Sequence, residues 1–147
     1  MPRKEALDAA QAIVSECLAL RIRRVDRSLS RIYDGALRPH GMTIAQLGLL
    51  TATMLSGPVQ PSRLGEILNL EPSTVSRNVA RMLSKGWISA TAATDGRSKL
   101  LAITRRGEDL LSDALPAWRR SQKQARDLLT PKGVLVFMEV TRAFGKR

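Results

Sequence analysis

Cysteine, histidine and aromatic side chains are nearly missing from this chain. Its 147 residues hold one Cys, one His, two Trp, one Tyr and two Phe. A lone cysteine, Cys17, cannot form an internal disulfide. One cysteine and one histidine cannot supply the four ligands of a tetrahedral zinc site within one chain, so no metal and no cofactor is expected. With aromatics at 3%, the core must be built from Leu, Val, Ile, Ala and Met. Long apolar runs are missing too. None approaches the roughly 20 residues that span a bilayer, and the N-terminus, MPRKEALDAAQ, lacks the apolar block of a secretory signal. These gaps predict a soluble cytoplasmic protein with no membrane partner. No Gly-rich phosphate loop, and no nucleophile beside a base, suggests an enzyme.

Acidic residues are also scarce. Lys and Arg number 24 against 13 Asp and Glu, a net charge of +11 and a pI of about 11.2. Such an excess favours a polyanionic partner, nucleic acid before an anionic membrane surface. Apolar residues at 44% suffice for a core, and the length fits one domain with helical extensions.

What is present is mostly helical periodicity. From about Lys4 to Leu37, the residues Leu7, Ile13 or Val14, Cys17 or Leu18, Val25, Leu29, Ile32 and Tyr33 recur at three- and four-residue steps, predicting one long helix. Arg21, Arg23, Arg24, Arg27 and Arg31 lie between them, as a solvated face paired with Asp26 and Asp34 or as a site for an anionic ligand. Pro39 and Gly41 end the helix. Thr43 with Gln46 forms a capping-box pattern opening a second helix, with Ile44, Leu47, Leu50 and Met54 as its apolar positions. Gly57-Pro58 closes it, and Pro61 opens a short third helix over Ser62 to Leu68. Asn69-Leu70-Glu71 is a turn. Pro72 then starts a fourth helix that Gly86 ends. Two strands follow, Trp87 to Ala93 and Lys99 to Ile103, joined at Asp95-Gly96. Thr104 caps a fifth helix that runs towards Leu129 and that Pro116 should bend or weaken. Thr130-Pro131 starts a last helix carrying Val134, Leu135, Phe137, Met138, Val140 and Phe144.

Helix, turn, helix and a two-stranded ribbon between Gln60 and Gly107 make a winged helix-turn-helix. The fold class expected is mainly α with a small antiparallel β wing. The fourth helix hides Val75, Val79, Met82 and Leu83 on one side and shows Ser73, Thr74, Ser76, Arg77 and Arg81 on the other. Hydroxyls near a helix N-terminus can bond phosphates or bases, and Arg77, one turn in, can fork onto guanine O6 and N7. Arg81 and Lys85, further along, suit phosphate, and Ser62 opens the preceding helix as another candidate DNA contact. Arg97 at the ribbon tip suits a narrow minor groove, with Ser98 and Lys99 on flanking phosphate and Asp95 as a turn residue. The flanking helices would leave too much apolar surface on a lone monomer, and homodimerisation is the simplest remedy.

The runs LRPHGMTIAQLGLL, STVSRNVARMLSKGWI and DGRSKLLAITRRG resemble the MarR family of bacterial regulators. Leu37, Gly41, Thr43, Gln46, Ser73, Thr74, Val75, Arg77, Lys85, Gly86, Asp95, Arg97, Thr104 and Gly107 carry that resemblance. It implies one domain over 1–147, with dimerisation helices at 1–40 and 108–147 around a DNA-binding lobe at 43–107. It also implies a homodimer on a pseudo-palindromic operator at the bacterial nucleoid. The family's usual action is repression, released by a small aromatic, phenolic or acyl-type ligand bound between the dimerisation helices and the lobe. Met42 stands where the family usually has Leu, and SATAAT in the first wing strand lacks the arginine often found there. Cys17, Arg21, Arg24 and His40 are the candidate ligand residues. Peroxide-sensing members place a reactive cysteine near position 17, giving a thiol-based alternative, but they follow it with tyrosines where Arg21 and Arg31 stand here. A third reading, an architectural non-specific DNA-binding protein, rests on the spread of positive charge.

Overall fold

The computed structural model describes residues 1–94 and 96–144. Six α-helices and a β-ribbon follow one another: α1 (Lys4–Glu16), α2 (Leu18–Leu37), a 3₁₀ turn (Arg38–His40), α3 (Ile44–Ser56), α4 (Pro61–Leu68), α5 (Pro72–Ser84), β1 (Ile88–Ala92), β2 (Lys99–Ile103) and α6 (Arg105–Phe144). Among the described residues no helix is long and apolar enough to cross a membrane.

Local chemistry sets most of these boundaries. The capping box at Thr43 is formed: the Gln46 amide donates to Thr43 Oγ1 (3.3 Å) and the Thr43 amide to Gln46 Oε1 (3.1 Å). A second anchor went unread in the sequence. Asp34 accepts from the Ile44 amide at 2.7 Å, so it caps α3 across the turn rather than pairing with the arginines of α2. None of those arginines makes an ion pair among the described residues. Between α4 and α5, Asn69 takes a left-handed conformation (φ 51°). The Leu70 amide then donates to Gly65 O at 2.9 Å. A Cβ on Gly65 would lie 3.2 Å from Leu70 O and 3.4 Å from Val75 Cγ2, so glycine lets this turn close tightly.

The predicted long first helix is interrupted. Cys17 is extended (φ −68°, ψ 110°), ending α1 and preceding α2. No proline or glycine marks the spot. No residue of α1 is buried, so packing within the chain does not hold the two segments in line. The expected break before the last helix is present, whereas the one expected at Pro116 leaves no mark on the dihedrals: Thr130 (φ 62°, ψ 159°) interrupts α6, and its Oγ1 accepts from the Gly133 amide at 3.3 Å. Helical dihedrals persist through Pro116.

β1 pairs antiparallel with β2 in the register Ile88↔Ile103 to Ala92↔Lys99. Val59 adds a third rung on the other edge of β2: its amide donates to Leu101 O (2.9 Å) and its carbonyl accepts from the Leu101 amide (2.8 Å). β2 is thus the middle of the sheet, which explains its stronger strand signal. Leu101 joins Leu37, Leu49, Leu50, Leu64, Val75, Val79, Met82, Trp87 and Ile88 in the core. Two expected core positions do not join it. Leu83 is 36% and Met54 47% exposed, because each lies past the edge of its helix's buried stripe. On α6, the small residues Ala114, Ala117, Ser121 and Ala125 are buried, and α2 packs against this helix. Tyr33 donates across that seam to Gln122 Oε1, and burial pushes its phenol pKa up.

Candidate nucleic-acid interface

Helix α5 is amphipathic. Burying Val75, Val79 and Met82 leaves Ser73, Ser76, Arg77 and Arg81 exposed and Thr74 half-buried. Pro72 fills the first helical position, where a missing N–H is harmless. The Thr74 and Val75 amides both bond Glu71 O (2.9 and 3.1 Å). Arg77 and Arg81 form no ion pair among the described residues, so the exposed face carries uncompensated positive charge.

The wing stands beside it. The Ala93 amide donates to Ser98 O (2.8 Å) and the Gly96 amide to Ala93 O (2.9 Å), closing the ribbon tip, with Gly96 at φ 67°. Arg97 and Lys99 are exposed and Ser98 is half-buried. Asp95, expected as a turn residue, lies outside the described residues. A cleft of about 750 Å³ separates α4, α5 and β2, and it brings Ser62, Ser76 and Lys99 onto one rim above a floor that includes Val75 and Leu101. Thus residues from three elements, distant in sequence, meet on one face.

Lys85 stands apart from them. Its ammonium donates to Gly41 O and lies 4.5 Å from the centre of the Trp87 ring. The cation is thereby engaged by the turn before α3. That clasp ties the end of α5 to the base of α2, and nothing in the sequence pattern signals it. The same corner holds a cleft of about 680 Å³ lined by His40, Lys85, Trp87, Arg106, Asp109 and Asp113 among others. Of the candidate ligand residues only His40 reaches it. Arg21 and Arg24 are exposed on α2, where Arg21 donates to Ser15 O, and Cys17 is half-buried at the α1–α2 break. A third cleft, about 580 Å³, opens between α3, α4 and α6. It lies between the lobe and a terminal helix, where the family resemblance implies a ligand, but none of Cys17, Arg21, Arg24 and His40 lines it.

A family model described as "MarR family" matches residues 40–98. The HTH-type transcriptional regulator YwoH of Bacillus subtilis is 27% identical over 95 residues, 65% of this chain and 69% of that protein. The transcriptional regulator MosR of M. tuberculosis, solved in complex with DNA, is 30% identical with a TM-score of 0.75, covering 87% of this chain and 96% of that one. A mutant of E. coli MarR, solved with operator DNA, shares the fold at 19% identity and a TM-score of 0.79, over 90% and 96% of the two chains.

Proposed function

The chain belongs to the MarR family of transcriptional regulators, and from that premise we propose that it is a homodimeric, sequence-specific DNA-binding repressor released by a small molecule. It acts in the cytoplasm, on the nucleoid. The observation that carries the reading is the exposed, unpaired basic face of α5 beside the wing. Arg77 forks onto guanine in the major groove, Ser73, Thr74 and Ser76 bond base edges or phosphate, and Arg81, Ser62, Ser98 and Lys99 hold phosphate. Arg97 enters the minor groove. Lys85 keeps α5 in place through Gly41.

Dimerisation is supported by apolar side chains that the monomer leaves uncovered. Ile13, Val14 and Leu18 are exposed near the start of the chain, and Leu135, Phe137, Met138 and Phe144 near its end. Joining two copies there would set two recognition helices about 34–36 Å apart, one turn of duplex. A ligand that binds only a different spacing draws the population away from DNA.

Arg77→Ala tests the reading. Titrating the chain's own upstream region against random duplex should show wild type preferring the former. The variant should lose about 1–3 kcal/mol and much of that preference. Equal affinity of wild type for both duplexes would instead support an architectural DNA-binding protein.

A further inference from the structure

Helix α2 carries its charge on one side. At about 100° per residue, Arg24, Arg27, Arg31 and Arg38 fall within roughly 60° of arc. All four are exposed. Arg38 keeps helical dihedrals (φ −52°, ψ −43°), so the row runs unbroken for about 21 Å. Val25, Leu29, Ile32 and Ala36, all half-buried, occupy the other side. The helix packs mainly on α6 and touches neither β-strand of the wing closely. Resting on the reading of α5 as the operator-binding face, we propose that this arginine stripe grips the phosphate backbone of a second, separate duplex. The proposed dimer then ties two DNA segments together.

By itself the stripe is unfavourable. Like charges three and four residues apart repel across one helical turn, as Arg24 does Arg27 and Arg27 does Arg31. None of these arginines has an ion-pair partner among the described residues. Asp34 lies one turn from both Arg31 and Arg38, yet its carboxylate accepts from the Ile44 amide at 2.7 Å. A row of guanidinium groups suits a row of oxyanions, since each can fork onto a phosphate. About 21 Å of duplex offers about 12 negative charges. The stripe's place in the fold selects the duplex. A recognition helix reads bases with its N-terminal residues. The stripe ends at the opposite end of α5: Lys85, the C-cap of that helix, donates to Gly41 O, and the Gly41 amide donates to Arg38 O at 2.9 Å. The 13 residues of α5 set about 20 Å between that corner and the base-reading turn. An operator duplex would have to bend sharply to reach the stripe, at an energetic cost. A separate segment needs no bend.

Capture on immobilised DNA tests this. Beads bearing the chain's own upstream duplex are loaded with protein, washed, and offered a fluorescent random duplex. Wild type should hold the second duplex. The triple variant Arg24→Gln, Arg27→Gln, Arg31→Gln should capture roughly tenfold less or lower still, while its operator affinity stays within about twofold of wild type. Glutamine is nearly as good a helix former as arginine, so α2 persists. The matching triple Arg→Lys variant keeps the charge and should recover most of the capture. Four results would overturn the proposal. Wild type and the glutamine variant could capture equally. The lysine variant could lose as much as the glutamine one, which would trace the loss to helix damage. Operator affinity could fall in step with capture, which would put the stripe in the operator interface. Stripe-dependent binding to phosphatidylserine vesicles without a captured duplex would give the face to a membrane. Failure of the α5 reading shows separately, as wild type that does not prefer the operator. The stripe is then measured on random duplex in solution. There the glutamine variant should lower the slope of log K against log salt by about 2.7, or 0.9 per arginine, and an unchanged slope would overturn the stripe's role.

Discussion

Replacing Gly107 with alanine should damage this protein far more than one methyl group suggests. Gly107 lies in the first turn of α6, where the chain passes back beneath Trp87. A Cβ there would stand 2.2 Å from Trp87 O and 2.8 Å from Ile103 Cγ1. The carbonyl would have to retreat by about 1 Å to reach an ordinary contact, and it is held by the Thr104 amide (3.1 Å) and by Thr104 Oγ1 (3.0 Å), whose single proton it shares with Gly86 O (2.6 Å). Losing both bonds costs about 1 kcal/mol each, and overpacking adds about 1–3. Alanine's better helix propensity returns about 1 kcal/mol. The net expectation is about 2–4 kcal/mol of destabilisation. At this length that corresponds to a Tm lower by roughly 6–12 °C. Urea unfolding of wild type and variant at one fixed protomer concentration measures it, because the midpoint of the proposed dimer depends on concentration. The midpoint should fall with the slope unchanged. A loss below about 0.5 kcal/mol would show that the strand-to-helix junction yields freely and that the close approach at Gly107 is not a constraint.

Other expectations follow from the same geometry. Lys85→Gln should lower operator affinity while leaving the slope of log K against log salt unchanged, since its ammonium is engaged by Gly41 and Trp87; a slope smaller by about 0.9 would mark it as a phosphate contact after all. Arg97→Ala should show that smaller slope. Leu135→Glu, which places a charge in the proposed dimer contact, should shift sedimentation towards monomer and abolish tight operator binding. Cys17→Ser should bind the operator as wild type does, and hydroperoxide should release neither protein. Release of wild type alone would establish thiol sensing.

Much of the fold was legible because its signals act over three or four residues. Thr43 with Gln46, Pro72 with Gly86, and Thr104 announce helix ends through groups that bond their own neighbours. Thr130-Pro131 marks its break in the same local way. The strand over Lys99–Ile103 was read to the residue because, as the middle of its sheet, it needs apolar side chains. The amphipathic face of α5 placed Arg77 and Arg81 outside correctly, yet misplaced Leu83, since a periodic stripe does not say how wide the buried side will be. The interruption at Cys17 had no local mark.

The sequence by itself determined the order of elements, the basic face of the recognition helix and the surplus of apolar surface on the terminal helices. These are properties of periodicity, charge and capping, and each is complete within one stretch of chain. The tertiary structure alone decided which groups meet across long separations. Lys85 finds a carbonyl 44 residues away, and Tyr33 finds Gln122 across 89. Asp34 reaches across a turn to cap α3, and Val59 completes the sheet. It also decided where space is left: Gly48 reads as a weak point in a helix until three helices are seen to converge around it. A pairing or a cavity of this kind depends on the relative placement of whole elements, and no single segment encodes that.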